Sequence, residues 1–119
     1  YGDVYWDAYW KNHKGEFHRD GDQPAIVYDD GTMMWYKNGE VHRDGDKPAA
    51  VYGDGEVRWY RNGERHRDGD KPAFVFSSGK MNWYKNGEKY LPSQKTYDYW
   101  EEYYQGYFEE FKNLETQDA

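Results

Sequence analysis

Three runs of His-Arg-Asp-Gly-Asp, at 18–22, 42–46 and 66–70, hold the residues whose types could do chemistry. Each sets an imidazole, a guanidinium and two carboxylates side by side, which is enough in principle for proton transfer, phosphate handling or metal binding. His-Arg-Asp also opens the catalytic loop of protein kinases. Here it occurs three times, with no Gly-rich phosphate loop, no Asp-Phe-Gly and too short a chain for that enzyme. A zinc ion shared by His18, His42 and His66 would need bonds of about 2.1 Å. Positions one unit apart, two strands on, are separated by about 9.6 Å. Asp-Gly-Asp at 20–22, 44–46 and 68–70 offers oxygens to calcium but lacks the longer ligand series and terminal Glu of an EF-hand loop. Aspartate beside glycine more often bonds its own backbone. Glu40, Glu64 and Glu88 could supply paired carboxylates for glycoside hydrolysis. Each faces Lys37, Arg61 or Lys85 across a tight turn, where a cross-strand ion pair accounts for it. Active sites are normally one of a kind, and these residues recur. They read as structural, and no catalytic set, cofactor or metal is expected.

The recurrence itself is the stronger signal. A 24-residue unit, clearest in Trp35–Arg58 and Trp59–Asn82, reads W-Y-(K/R)-N-G-E-x-H-R-D-G-D-K-P-A-x-V-(Y/F)-x-x-G-x-x-x. Fixed self-similarity of this length marks a stacked repeat architecture. Each unit carries two turn signals. Asn38-Gly39, Asn62-Gly63 and Asn86-Gly87 predict two-residue type I′ hairpins, because both turn positions need φ > 0. Asp29-Asp30-Gly31, Gly53-Asp54-Gly55 and Ser77-Ser78-Gly79 predict three-residue loops with a left-handed Gly. These turns pair Lys37 with Glu40, Tyr36 with Val41, Trp35 with His42, Val27 with Met33 and Ala25 with Trp35. The links around Arg43–Pro48 bend at Gly and open the next strand on Pro.

Alternation then sorts the faces. One collects Ala25/Ala49/Ala73, Val27/Val51/Val75, Met33/Val57/Met81 and Trp35/Trp59/Trp83, uniformly apolar, and is the expected core. The other carries Tyr28/Tyr52/Phe76, Tyr36/Tyr60/Tyr84 and the mixed rows Ile26/Ala50/Phe74, Met34/Arg58/Asn82 and Val41/Arg65/Lys89. It is expected to be partly wet, with the Tyr36/Tyr60/Tyr84 row exposed. At the start, Tyr9-Trp10-Lys11-Asn12 echoes Trp35-Tyr36-Lys37-Asn38, with two extra residues that include His13, and Val4–Trp10 reads as a first strand. At the end the period breaks. Pro92-Ser93 predicts a helix start with Ser93 as N-cap. Tyr97, Trp100, Tyr104, Tyr107, Phe108, Phe111 and Leu114 form an apolar arc opposite Asp98, Glu101, Glu102 and Glu109.

Composition agrees with a thin, aromatic core. Mean hydropathy is -1.40, low enough alone to favour disorder. Six Trp, fourteen Tyr and five Phe supply large rigid area from few residues. The net charge of -7 is uneven, since residues 93–119 hold two basic and seven acidic groups. Binding nucleic acid through a basic surface is not expected; a basic partner for the acidic end is. The lack of cysteine suits a reducing cytoplasm, that of a host cell, and is compatible with export. No apolar run approaches the ~20 residues of a membrane span, and no signal peptide is visible. The first residue is Tyr1 rather than Met, which points to processing or trimming.

Units of the form P-A-x-V-Y-x-D-G-x-x-x-W-Y-x-N-G-x-x-H-R-D-G-D resemble short hairpin repeats in phage, giant-virus and bacterial proteins. They are loosely similar to MORN repeats, whose ~23-residue hairpins stack into a single-layer sheet. The Gly-rich MORN pattern is absent, and the H-R-D-G-D-x-P-A link has no counterpart there. The resemblance covers about residues 9–90 and implies a scaffold for binding rather than catalysis.

The expected architecture is therefore mainly β. Stacked antiparallel hairpins over residues 1–92, about three and a half units in a single-layer meander, are closed by a C-terminal amphipathic helix over 93–119 packed on the last repeat. The expected function is non-catalytic protein binding, as an inhibitor or adaptor acting on a host protein. The candidate surface comprises Tyr36, Tyr60, Tyr84, Tyr52, Phe76, Arg58, Arg65 and Lys89, with Glu101, Glu102 and Glu109 on the helix. The alternative is a carbohydrate or cell-wall ligand on aromatic platforms. A third reading has the acidic helix mimic nucleic acid. Oligomeric state is open, because a stack of hairpins can extend through a free edge.

Overall fold

The structure, a computed structural model, describes residues 8–118, with side chains described as far as residue 113. Val4–Asp7 of the expected first strand and the Leu114 side chain of the helical arc lie outside that description. The strands are β1 (Ala8–Tyr9), β2 (Ile26–Val27), β3 (Met33–Met34), β4 (Tyr36–Lys37), β5 (Glu40–Val41), β6 (Ala50–Val51), β7 (Val57–Arg58), β8 (Tyr60–Arg61), β9 (Glu64–Arg65), β10 (Phe74–Val75), β11 (Met81–Lys85) and β12 (Glu88–Tyr90). The helix α1 (Gln94–Asp118) follows. Eight strands form one antiparallel sheet in the order β1-β2-β3-β6-β7-β10-β11-β12, and β4-β5 and β8-β9 are separate two-stranded hairpins.

The turns behave as their residues dictate. Asn38 and Gly39 have φ of 49° and 86°, and both later copies match. This sets the pairs Lys37–Glu40 and Tyr36–Val41. Gly31 has φ 93°, its N–H reaches the Tyr28 carbonyl at 3.2 Å, and Val27 pairs with Met33.

The strand divides at the repeat tryptophan, a break that alternation alone does not reveal. The Trp35 N–H donates to the Ala49 carbonyl of the next unit at 2.8 Å, while its own carbonyl accepts from His42 N–H at 3.0 Å. Trp59 does the same with Ala73 and His66. One residue thus serves two ladders, so the sheet ends before it and the Asn-Gly hairpin begins after it. No unit follows Trp83, and there β11 runs unbroken from Met81 to Lys85.

The hydrogen bonds also correct the alignment of the first unit. Trp10, not Tyr9, matches Trp35: its N–H donates to Ala25, His18 N–H reaches its carbonyl, and Arg19 stacks on its ring. The turn is therefore lengthened by one residue, through a loop closed by Asn12 N–H to the Glu16 carbonyl at 2.9 Å.

Ser93 caps α1, its Oγ accepting from the Thr96 N–H at 3.2 Å. The helix lies along the tryptophan face. Tyr97 meets Trp83 with ring centroids 5.8 Å apart, and the Tyr107 hydroxyl donates to the Gly55 carbonyl at 3.0 Å. Its seat thus begins on the last repeat and continues onto the one before. Val57, Trp59, Val75, Met81, Trp83 and Tyr104 are buried in the resulting core. Val51 packs against the margin of this core and, like the equivalent Val27 and Met33, is only half-buried. Among the described residues no helix is long and apolar enough to cross a membrane.

Candidate functional site

The His-Arg-Asp-Gly-Asp runs form the joints of the stack. In each, the imidazole Nδ1 accepts the backbone N–H of the next unit's turn asparagine: Asn38 to His18, Asn62 to His42 and Asn86 to His66, at 3.0, 3.0 and 2.9 Å. An acceptor Nδ1 places the proton on Nε2, which donates to Asp20, Asp44 and Asp68 at 2.9, 2.8 and 2.7 Å. The imidazoles hold Asp44 and Asp68 below the usual carboxylate range. Both ring nitrogens of each repeat histidine are thus engaged, Nδ1 with the next unit and Nε2 within its own link.

The arginines complete the joint. The Arg43 and Arg67 guanidinium carbons lie 3.8 and 3.6 Å from the ring centroids of Trp35 and Trp59. Arg43 grips Asp22 of the preceding link through Nε (2.9 Å) and Nη2 (3.4 Å), and Lys47 adds a contact at 2.8 Å. Arg67 and Lys71 hold Asp46 in the same way. A two-pronged guanidinium–carboxylate contact is the strong form of ion pair. Arg43 and then Lys47 bring Asp22 down to about 2, and Arg67, against the cost of burial, brings Asp46 to the same value. Of the carboxylates that offered oxygens to calcium, Asp22 and Asp46 are therefore taken by cations. At the last joint Leu91 stands where an arginine would be, and the Tyr90 hydroxyl (3.1 Å) and Thr96 hydroxyl (3.4 Å) close on Asp70 instead.

Opposite the helix, the second face holds an aromatic cluster centred on Phe74, with Tyr60 and Tyr84 at 5.6 and 5.2 Å and Phe76 at 6.1 Å. Arg58 spreads over Tyr52, Phe74 and Phe76 at 5.0, 4.8 and 5.7 Å and is tethered to Glu56 at 2.6 Å. Arg65 lies 5.0 Å from the centroid of the Tyr84 ring and donates to the hydroxyl of that residue at 3.2 Å. Burial, then the neighbouring phenols Tyr28 and Tyr60, raises the Tyr36 pKa, and burial likewise raises that of Tyr52.

The candidate residues are therefore brought together unequally. Tyr36, Tyr52, Tyr60, Phe76 and Arg58 are half-buried, while Arg65 and Lys89 are exposed at the margin. Tyr84 is a correction. It is 8% exposed, because Phe74 and Arg65 close over its ring. Phe74, which alternation places in a mixed row, is marked in the sequence by its size, a phenylalanine where the other units have Ile26 and Ala50. Glu101, Glu102 and Glu109 do not join this cluster. They line a groove of about 650 Å³ between α1 and the Ser77–Gly79 turn, on the helix-bearing side. The repeat tryptophans Trp35, Trp59 and Trp83 are buried, and the Trp59 indole N–H lacks an acceptor among the described residues. Trp35 and Trp83 donate to the carbonyls of Asp22 and Asp70, which take positive φ, whereas Asp46 does not. Comparison with known proteins adds no relative to this geometry: no family model, no curated protein and no solved structure matches the chain.

Proposed function

We propose that this is a non-catalytic protein-binding module whose recognition surface is the face opposite α1, formed by Tyr36, Tyr52, Tyr60, Phe76 and Arg58 with Arg65 and Lys89 at its rim. The observation that carries the reading is the Arg58 cluster. One guanidinium, tethered by Glu56, stands over the buried ring of Phe74 and the partly accessible rings of Tyr52 and Phe76. Rigid aromatics with arginine are the composition that concentrates binding energy in interfaces, because they offer large area at little entropic cost. The non-catalytic part is supported by the joints, where the repeat histidines and Asp22 and Asp46 are each engaged by a structural partner. The resemblance of the repeats to phage and bacterial hairpin proteins makes an inhibitor or adaptor acting on a host protein the role to test.

Immobilised protein should retain a partner from a bacterial host lysate, and R58A should weaken that retention at least tenfold. Retention on insoluble polysaccharide with no protein partner would replace this reading with the carbohydrate one. The buried repeat tryptophans leave that alternative the tyrosine rows and the exposed Tyr9, Trp10, Tyr99 and Tyr103. Reversing Glu101, Glu102 and Glu109 should leave the same partner's affinity within a few-fold, since these groups lie on the other side of the sheet.

A further inference from the structure

Among the described residues, the joint built between units lacks its carboxylate at one end of the stack. Arg43 and Arg67 each receive a carboxylate on Nε and Nη2 from the link of the preceding unit. Arg19, equivalent to both, stacks on Trp10 with its guanidinium carbon 3.6 Å from the ring centroid and donates through Nη1 to the Pro24 carbonyl at 3.3 Å. Among the described residues its Nε and Nη2 meet no carboxylate. The cleft in front of it is also wider than those at the inner joints. The clefts at Arg43 and Arg67, walled by links 18–22 and 42–46, measure about 190 and 220 Å³, whereas the one at Arg19 measures about 570 Å³. Its lining includes Lys11, Lys14 and Arg19 against a single carboxylate, Asp20, which His18 already engages. Trp10 is 37% exposed there, whereas Trp35, Trp59 and Trp83 are 7%, 7% and 2% exposed.

We propose that this open joint is a second interaction site, which takes an aspartate-bearing turn of a partner protein. The incoming carboxylate would lie across Nε and Nη2 of Arg19 as Asp22 and Asp46 do at the inner joints, with the backbone of its turn against the exposed edge of Trp10. The two inner joints show what this constellation binds. Excess cationic charge in a chain of net charge -7 makes the cleft the natural seat for an acidic segment. Arginine and tryptophan together are also the residues that dominate interface energetics. A second copy of the chain stacked tail to head is a poor occupant, because its last link presents Asp70 already closed off by Tyr90 and Thr96. The site lies at the end of the stack, apart from the Arg58 cluster, so failure of either proposal leaves the other standing.

The test titrates the full chain with a capped octapeptide of the sequence of residues 42–49, followed by NMR at the Arg19 Nε–H and Trp10 indole resonances. The expected result is saturable shifts of both, at least tenfold weaker when the peptide carries Asp46→Asn, and lost in R19Q. Absence of shifts, or equal shifts with the Asn-bearing peptide, would overturn the proposal without reliance on any protein variant. An Arg19 resonance that moves on D3N/D7N with no peptide present would assign the seat to the chain's own first residues, and one that tracks protein concentration alone would assign it to a second copy. Either outcome rejects an external turn.

Discussion

Beneath α1 and beyond it, the same 24-residue unit meets two environments. At the outer joint Arg19 and Trp10 face a wide cleft. At the inner one Arg67 lies between Trp59 and the helix, with Nη1 donating to both the Pro72 carbonyl (3.0 Å) and the Tyr104 hydroxyl (3.2 Å). The repeat histidines grade the change, with side chains 20%, 11% and 4% exposed at His18, His42 and His66. Their residue types are the same and their local hydrogen bonds are the same. What differs is the layer above them, so repetition specifies the joint while its neighbours determine how strongly it contributes.

The arginine series should break that comparison most forcefully. R67A removes a buried guanidinium that serves Asp46, Pro72 and Tyr104 and stacks on Trp59, and should cost about 2–3 kcal/mol. R43A, with no helix above it, should cost about 1–2 kcal/mol, and R19A less than about 1 kcal/mol. Urea midpoints of the three variants check the ranking. Equal losses at positions 43 and 67 would mean that α1 adds nothing to the joint.

A glycine pair isolates the helix seat. Gly55 and Gly79 share nearly the same left-handed backbone, φ 95° and 93°. A Cβ at Gly79 meets open space, whereas one at Gly55 meets Phe108 at 3.2 Å and Phe111 at 3.4 Å. G79A should cost about 1–2 kcal/mol from backbone strain alone. G55A should cost about 1–2 kcal/mol more, because the rings must be displaced. Thermal unfolding of the two variants reads the difference directly.

Acid should act least, and on both inner joints alike. Asp22 and Asp46 titrate at about 2 in the fold, below the ordinary 3.8. The folded state therefore binds fewer protons there than the unfolded chain. Their stabilisation is complete above about pH 4–5 and is lost as pH falls through about 2. Both side chains are some 40% exposed, so solvent screening keeps the effect modest. Urea midpoints measured between pH 5 and pH 2 should fall, with a shallower slope in D22N/D46N; an unchanged slope would mean that these pairs carry none of the acid response.

Much of the architecture is legible in the residues because it is local. Asn-Gly has few ways to turn, so Asn38-Gly39 sets the partners of Tyr36 and Lys37 before any tertiary contact forms. Alternation then places Trp35, Trp59 and Trp83 on one face. The apolar arc from Tyr97 to Phe111 likewise marks a helix with one side to bury. The aromatic surface is only half legible by the same reasoning. Tyr36 and Tyr60 remain accessible, while Tyr84 is covered because Phe74, large only in the third unit, fills the space beside it.

What no periodic pattern could supply was decided by contacts between units and between layers. The strand divides at Trp35 because its N–H and carbonyl are claimed by different neighbours, and stays whole at Trp83 because no unit follows. The register of the first unit rests on Trp10 because Arg19 stacks on it, a match that counting letters places one residue off. The seat of α1 over Gly55 and Arg67 depends on which apolar surface lies within reach of a helix that starts at Ser93. Turn geometry and side-chain alternation are properties of a few adjacent residues, and the chain carries them in its letters. Burial is a property of whatever arrives from elsewhere, and three identical letters can therefore meet three different fates.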